Sequence, residues 1–284
     1  MLAWMNAFWR EHTFRLRTAS GQLNPEPKRV RPIQEPQQVS EWLMRDPEAR
    51  ALTEKYALLA ALKSMSLARA QLTLTKLSIF ETAFQQRPFV AENTLKALDV
   101  GCKNWEDLFG FASFLQALTL LPSADTPGDA TLDGVEVDAY RRYVDGSRRI
   151  DHASAAMLAL GMSEHHQAVA AQYHAKNICE LSVGTNIEPY DLIGWFLPFV
   201  VQEPLIAWGL PDRLFQPRQT LQHVISLLKP QGAMIITNQG DEEASIQKTL
   251  LHECSDIEFE AIALPKPFYP YRHTHRGWMC WKTA

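Results

Sequence analysis

The stretch Thr94-Leu-Lys-Ala-Leu-Asp-Val-Gly-Cys-Lys-Asn-Trp105 constrains the fold of this chain most. An apolar run from Leu95 to Val100 carries one acid, Asp99, near its end. Gly101 follows at once, and a helix-like segment then runs from about Asn104 to Leu118. The pattern is strand, tight turn, helix. A glycine there lets the chain turn sharply and lets a ligand approach the backbone. The free N–H groups of the next helix would point at whatever sits over the turn. Such units build nucleotide-type sites at the carboxyl edge of a parallel sheet.

The rest of the chain supports that frame. Residues 1–20 mix Trp4, Phe8, Trp9 and Phe14 with arginines, as an amphipathic helix does. Such a helix packs on its own protein or a partner, or lies on a membrane surface. Residues 24–37 hold Pro25, Pro27, Pro32 and Pro36 and read as an extended linker. From Val39 to about Phe84 apolar residues recur at three- and four-residue spacing. Asp46-Pro47 is an N-cap with proline at the first helical position, opening a helix to about Ala61. Another helix covers roughly Leu67–Phe84, with Arg87-Pro88 ending it. The chain divides into a helical extension, 1–90, and a main domain, 91–284.

Beyond the first strand, Leu121–Asp133 reads as a surface loop. Gly134–Val137 is a short strand passing into a helix, and His152–Ala171 is helical. Ala175–Leu181 is a third strand, and Tyr190 to Val200 a fourth running into a loop. Gln216–Leu228 is a helix, broken by Lys229-Pro-Gln-Gly232. Ala233–Thr237 is a fifth strand, Glu242–Cys254 a helix, and Ile257–Leu264 and Gly277–Trp281 are closing strands, antiparallel in one reading. Alternating strands and helices indicate an α/β fold with a mainly parallel, doubly wound sheet.

Composition excludes several classes. Net charge is −4, so nothing global points to nucleic acid, although residues 1–32 hold six Lys/Arg against two acids. Cys102, Cys179, Cys254 and Cys280 are scattered without metal spacing, which argues against a zinc cage or disulfide framework and fits a reducing cytoplasm. No apolar run of about 18 residues occurs, so no spanning helix is expected.

Four phrases, spread over about residues 94–284, together resemble the class I methyltransferases that use S-adenosylmethionine. Leu98-Asp-Val-Gly-Cys102 resembles their first motif, and Gly134-Val-Glu136 the tip of their second strand. Tyr190-Asp-Leu-Ile193 resembles the fourth-strand entry. Leu227-Leu-Lys-Pro-Gln-Gly-Ala-Met-Ile-Ile236 resembles the helix–turn–strand phrase before the fifth strand. The resemblance implies a Rossmann-like class I fold, the cofactor S-adenosylmethionine, and a small-molecule or lipid-like methyl acceptor. It places Asp99, Gly101 and Cys102 at the cofactor's amino-acid end, and Glu136, with Asp138 as the competing choice, at the ribose. Cys179, Glu180 and Leu181 would hold the adenine. Trp195, Phe196, Pro198 and Phe199 would line the acceptor, with Asn238 beside them. No metal is implied.

The first motif departs from the family pattern. It has one glycine where two or three alternate, and Lys103 and Trp105 stand where bulk would crowd a cofactor. A carboxylate suits a ribose because charge-assisted hydrogen bonds are the stronger kind. Three further groups are weaker candidates. His165-His166 reads as solvent-facing. His273 and His275 read as an ordinary loop pair rather than a metal site or base. Tyr140, Arg141, Arg142 and Tyr143 read as a solvated helix face or an anion site. The family fold without its chemistry, or a nicotinamide enzyme on the same kind of sheet, are the rival readings.

Overall fold

The computed structural model describes residues 2–86, 94–119, 128–184 and 188–283. Five helices come first: α1 (Leu2–Leu23), α2 (Pro36–Arg45), α3 (Pro47–Lys55), α4 (Leu59–Lys63) and α5 (Leu67–Gln86). There follow β1 (Thr94–Val100), α6 (Leu108–Thr119), β2 (Asp129–Val135), α7 (Arg149–Gly161), β3 (Val169–His174) and β4 (Tyr190–Phe196). The chain closes with α8 (Gln202–Ala207), α9 (Pro217–Ser226), β5 (Leu228–Gln239), α10 (Gly240–His252), β6 (Ile257–Ile262) and β7 (His275–Lys282).

The strands form one sheet in the order β3-β2-β1-β4-β5-β7-β6. The first five are parallel, and β7 inserts antiparallel between β5 and β6. The order runs outward from β1 to β3 on one side and from β4 on the other. It therefore reverses between β1 and β4, where an open sheet leaves a crevice at the carboxyl ends of its strands. This is the Rossmann-like, class I arrangement expected.

Alternation along β1 divides the core. Leu95 and Ala97 face a cluster built with α2–α7, while Leu98 and Val100 face α9 and α10. Both faces of the strand are buried, as parallel strands require. The helix α5 packs on α6, and Phe80 lies 4.2 Å from Phe111 between ring centroids. The Asp46 cap is formed as read: its carboxylate accepts from Ala49 N at 3.0 Å. Residues 24–35 run without regular structure until Pro36 opens α2. Among the described residues no helix is long and apolar enough to cross a membrane.

Several element readings need correction. Strand β2 starts at Asp129, inside the stretch read as loop, so polar Asp129, Thr131 and Asp133 masked a strand whose alternate residues are buried. The helix after it stops at Gly161, and β3 occupies Val169–His174 rather than Ala175–Leu181. Residues 136–148 form turns, so Tyr140–Tyr143 is no helix face. Arg87-Pro88 and most of 120–128 lie outside the described residues.

His165 is exposed, but His166 is buried, which corrects the reading of the pair. Its ring sits between Ser113 Oγ and Ser163 Oγ, each at 2.8 Å. Burial pushes its pKa down to about 4. An unfolded histidine titrates near 6.5. Between those values the unfolded chain takes up a proton that the folded chain refuses, so stability is full above pH 6.5 and falls as pH drops toward 4. From pH 6.5 to 5 this group should cost about 1.5 kcal/mol. Urea unfolding at both pH values should show that difference, and His166→Asn should remove it.

Candidate functional site

The turn after β1 shapes the crevice. Gly101 has φ +73°, Lys103 +55° and Trp105 +53°. Three left-handed residues thus alternate along the turn although only the first is glycine. Lys103 and Trp105 hold a conformation that costs an L-residue roughly 1–2 kcal/mol, and local bonds fix it. Gly101 and Cys102 donate to Val135 O at 2.9 and 3.3 Å, and Trp105 donates to Cys102 O at 2.8 Å. The indole N–H of Trp105 donates to Asp99 Oδ2 at 2.9 Å. The Trp105 ring is fully buried against Gly134, where a Cβ would come within 2.6 Å of it. Trp105 therefore lies beneath the turn and does not crowd the crevice.

Asp99 is in the same layer. Its carboxylate pairs with Lys76 Nζ at 2.7 Å, and Lys76 also reaches Asp107 at 2.9 Å. Burial opposes the charge on Lys76, but Asp107 and Asp99 outweigh it and raise its pKa. The ammonium also lies 4.6 Å from the Phe196 ring centroid, a cation–π distance.

Above this layer is a cavity of about 380 Å3 at the carboxyl ends of the strands, within the roughly 300–1,000 Å3 of small-molecule sites. Gly101 and Lys103 line it after β1, and Glu136 and Val137 after β2. Asn177 and Ile178 line it after β3, and Trp195 through Val200 at the end of β4. Gln239, Glu243 and Gln247 close it from β5 and α10, with Tyr271 nearby. Trp208, Leu210 and Leu214 cover it from the segment after α8.

Glu136 is buried and already well supplied with donors. Its Oε2 accepts from Lys103 N at 3.0 Å, and its Oε1 from Asp138 N at 2.8 Å and Arg149 Nη1 at 2.9 Å. A carboxylate offers about four acceptor positions, so one remains, on Oε2. Two cations meet Trp208 at this end: Lys103 Nζ lies 4.6 Å and Arg149 Cζ 4.9 Å from its ring. Arg141 donates to the Trp208 carbonyl, and Phe199 meets Trp208 edge-on at 5.8 Å.

The structure brings Gly101, Glu136, Trp195, Phe196, Pro198 and Phe199 together on the cavity wall. It places the other candidates elsewhere. Asp99 faces α5 because it shares the parity of Leu95 and Ala97. Cys102 is buried with its thiol toward Gly134. Asp138 is buried off the wall, with Arg17 Nε at 2.6 Å and Arg141 Nε at 3.1 Å. Cys179 and Glu180 are exposed in a short 3-10 turn, Ile178–Glu180, and Leu181 is core. Asn238 is buried and accepts from Trp278 Nε1 at 3.1 Å, leaving Gln239 on the wall. Among the described residues no group of His, Cys, Asp and Glu could hold a metal.

Arg149, Trp208, Glu243 and Gln247 were missed. Trp208 carried no signal in the sequence. Glu243 and Gln247, one turn apart in a helix leaving a strand tip, did carry one.

No family model matches the chain, and no curated protein matches it. Solved structures do. The plantazolicin methyltransferase BpumL, in complex with SAH, is 14% identical, with 87% of this chain and 94% of that one covered at a TM-score of 0.43. The N-methyltransferase NodS from Bradyrhizobium japonicum WM9 is 12% identical, with 74% and 94% covered at 0.40. An rRNA methylase from Streptococcus thermophilus is 14% identical, with 69% and 90% covered at 0.39. These overlaps are loose, and the chemistry of those proteins does not transfer through them.

Removing the ammonium beneath the turn tests how the site is held. Lys76→Met should destabilise the protein by about 3–5 kcal/mol, because it leaves buried Asp99 unpaired. Adding Asp99→Asn should recover part of that loss. Urea midpoints report both, and a loss near that of a surface pair, below about 1 kcal/mol, would show that the ion pair holds nothing.

Proposed function

We propose that the cavity binds S-adenosylmethionine and that the chain transfers its methyl group to a small or lipid-like acceptor in the cytoplasm. One observation carries this reading. At the strand-order reversal, the left-handed turn at Gly101, the carboxylate of Glu136 and the aromatic wall of Trp195, Phe196 and Phe199 meet in a single cavity.

The residues present fit the cofactor with one adjustment. The remaining acceptor position on Glu136 takes one ribose hydroxyl, not two, since Arg149 and two backbone N–H groups hold the others. Asn177 and Ile178 replace Cys179–Leu181 as the side chains near the base. The cofactor supplies a sulfonium methyl that is already electrophilic, so the protein's task is alignment and exclusion of water. Trp195, Phe196 and Phe199 line the wall, and aromatic rings attract a cation placed over them. Trp208, within cation–π distance of Lys103 and Arg149, covers the cavity at the Glu136 end.

Among the described residues that line the cavity away from Glu136, Glu243 is the one carboxylate. Burial raises its pKa, while the Gln239 N–H, at 2.8 Å, pulls it back. It is the group placed to take a proton from an acceptor that must lose one.

A second reading, a binding domain without turnover, is favoured by how fully Glu136 is occupied. Calorimetry of the full chain with S-adenosylhomocysteine, S-adenosylmethionine and NADH separates the two. The first two should bind and NADH should not. Glu136→Gln, which keeps the side chain's shape, should weaken S-adenosylhomocysteine by roughly 1.5–3 kcal/mol, the range for a bond to a charged group. An unchanged dissociation constant would remove Glu136 from the ribose. Silence of the wild-type chain toward both sulfur ligands would sink the transferase reading.

A further inference from the structure

Gln247 is 1% exposed and lines the cavity, yet neither its Oε1 nor its Nε2 has a hydrogen-bond partner among the described residues. A buried polar atom left unpaired costs roughly 1–3 kcal/mol, and native proteins almost always pair such groups. Helix α10 fixes the direction of the side chain. Glu243 stands one turn before it on the same face and also reaches the cavity. From this we infer that Gln247 is a recognition residue for the methyl acceptor, and that the acceptor carries a planar, neutral, amide-like edge. This inference rests on the methyl-transfer reading and names its substrate class.

The chemistry of the amide selects the ligand. A glutamine side chain presents one acceptor and a donor pair side by side. A carboxylate would satisfy only the donors, and an ammonium only the acceptor. A carboxamide, a lactam or an amino-substituted nitrogen heterocycle satisfies both at once, as adenine does with glutamine in a DNA groove. The surroundings agree. Trp195 and Gln247 line the same cavity, so an aromatic ring shares the wall with the amide.

The position separates this end from the ribose end. Three strand spacings lie between β2, which Glu136 follows, and β5, which leads into α10. At about 4.8 Å each, that is roughly 14 Å. A site built to hydrogen-bond a ligand group rejects analogues that lack it, because its own polar atoms are then left unpaired.

The test uses the full chain and three small probes: benzamide, acetophenone and benzoate. Binding is read by tryptophan fluorescence. Benzamide should bind at least tenfold tighter than the other two. Gln247→Leu should abolish that preference, leave the S-adenosylhomocysteine dissociation constant within twofold, and raise the Tm, since an orphan amide is removed. A lower Tm, or a benzamide preference absent from the wild type or surviving in the variant, overturns the proposal. A tenfold loss of S-adenosylhomocysteine affinity in the variant also overturns it, by assigning the amide to the cofactor. If the wild type ignores S-adenosylhomocysteine but shows the Gln247-dependent preference, methyl transfer fails while the amide subsite stands.

Discussion

One buried ammonium holds the functional end of this protein together. Lys76 comes from α5 in the N-terminal helices and ends between Asp99 on β1 and Asp107 before α6. Taking such a charge out of water costs several kcal/mol unless its partners are close and well aligned. Here they are, and Phe196 adds a ring face. Asp99 can then accept from the Trp105 indole, which pins a tryptophan in a left-handed conformation. That conformation leaves Lys103 N aimed at Glu136. A helix that precedes the sheet by sequence thus sets the direction of a hydrogen bond on the cavity wall.

A second electrostatic layer lies around the loop after β2. Asp138 is buried beside Arg17 from α1, Arg141 and, at 4.0 Å, Arg149. Burial raises its pKa although all three arginines oppose that shift. The carboxylate that competed with Glu136 for the ribose is instead the anchor of α1. The same helix places Phe14 against Leu205 and Leu210 and sends Arg10 to Leu210 O at 3.1 Å, next to the cavity cover. Its other side leaves Trp4, Phe8 and Trp9 more than half exposed, so the described residues cover one face of the basic-aromatic segment.

The sheet was legible because its central strands are apolar runs that end in turns. Leu95–Val100 with Gly101, and Leu227–Ile236 with its Pro-Gln-Gly break, announce strands whatever surrounds them. The aromatic wall was legible for a similar reason, since Trp195–Phe199 follows a strand directly. Strand β2 was not, because Asp133 finds Tyr190 Oη at 2.7 Å, a partner 57 residues away that no local pattern shows. Among the cofactor candidates, parity turned Asp99 away from the cavity. Asp99 and Glu136 both lie at strand tips, but Asp99 shares the face of Leu95 and so points to α5. Single-glycine spelling misled in the other direction. The turn keeps its left-handed alternation through burial of Trp105 and the Asp99 bond, which residue types alone do not disclose.

The two ends of the cavity differ in kind, and that difference follows from which elements reach them. The Glu136 end is set by a loop whose charges are compensated internally: three donors on one carboxylate, and two cations on one indole. Its polarity is spent on holding itself, leaving room for a single hydroxyl. The α10 end is set by a helix that is held to the sheet by its apolar residues, Ala244, Leu250 and Leu251, so its polar side chains toward the cavity carry little of that packing. Glu243 does cap locally, through Gln239 N. Gln247, one turn on, has no such task, and its amide has no hydrogen-bond partner among the described residues. Specificity is therefore expected where the fold asks least of the residues, at α10, and positioning where it asks most, at the turn above Lys76.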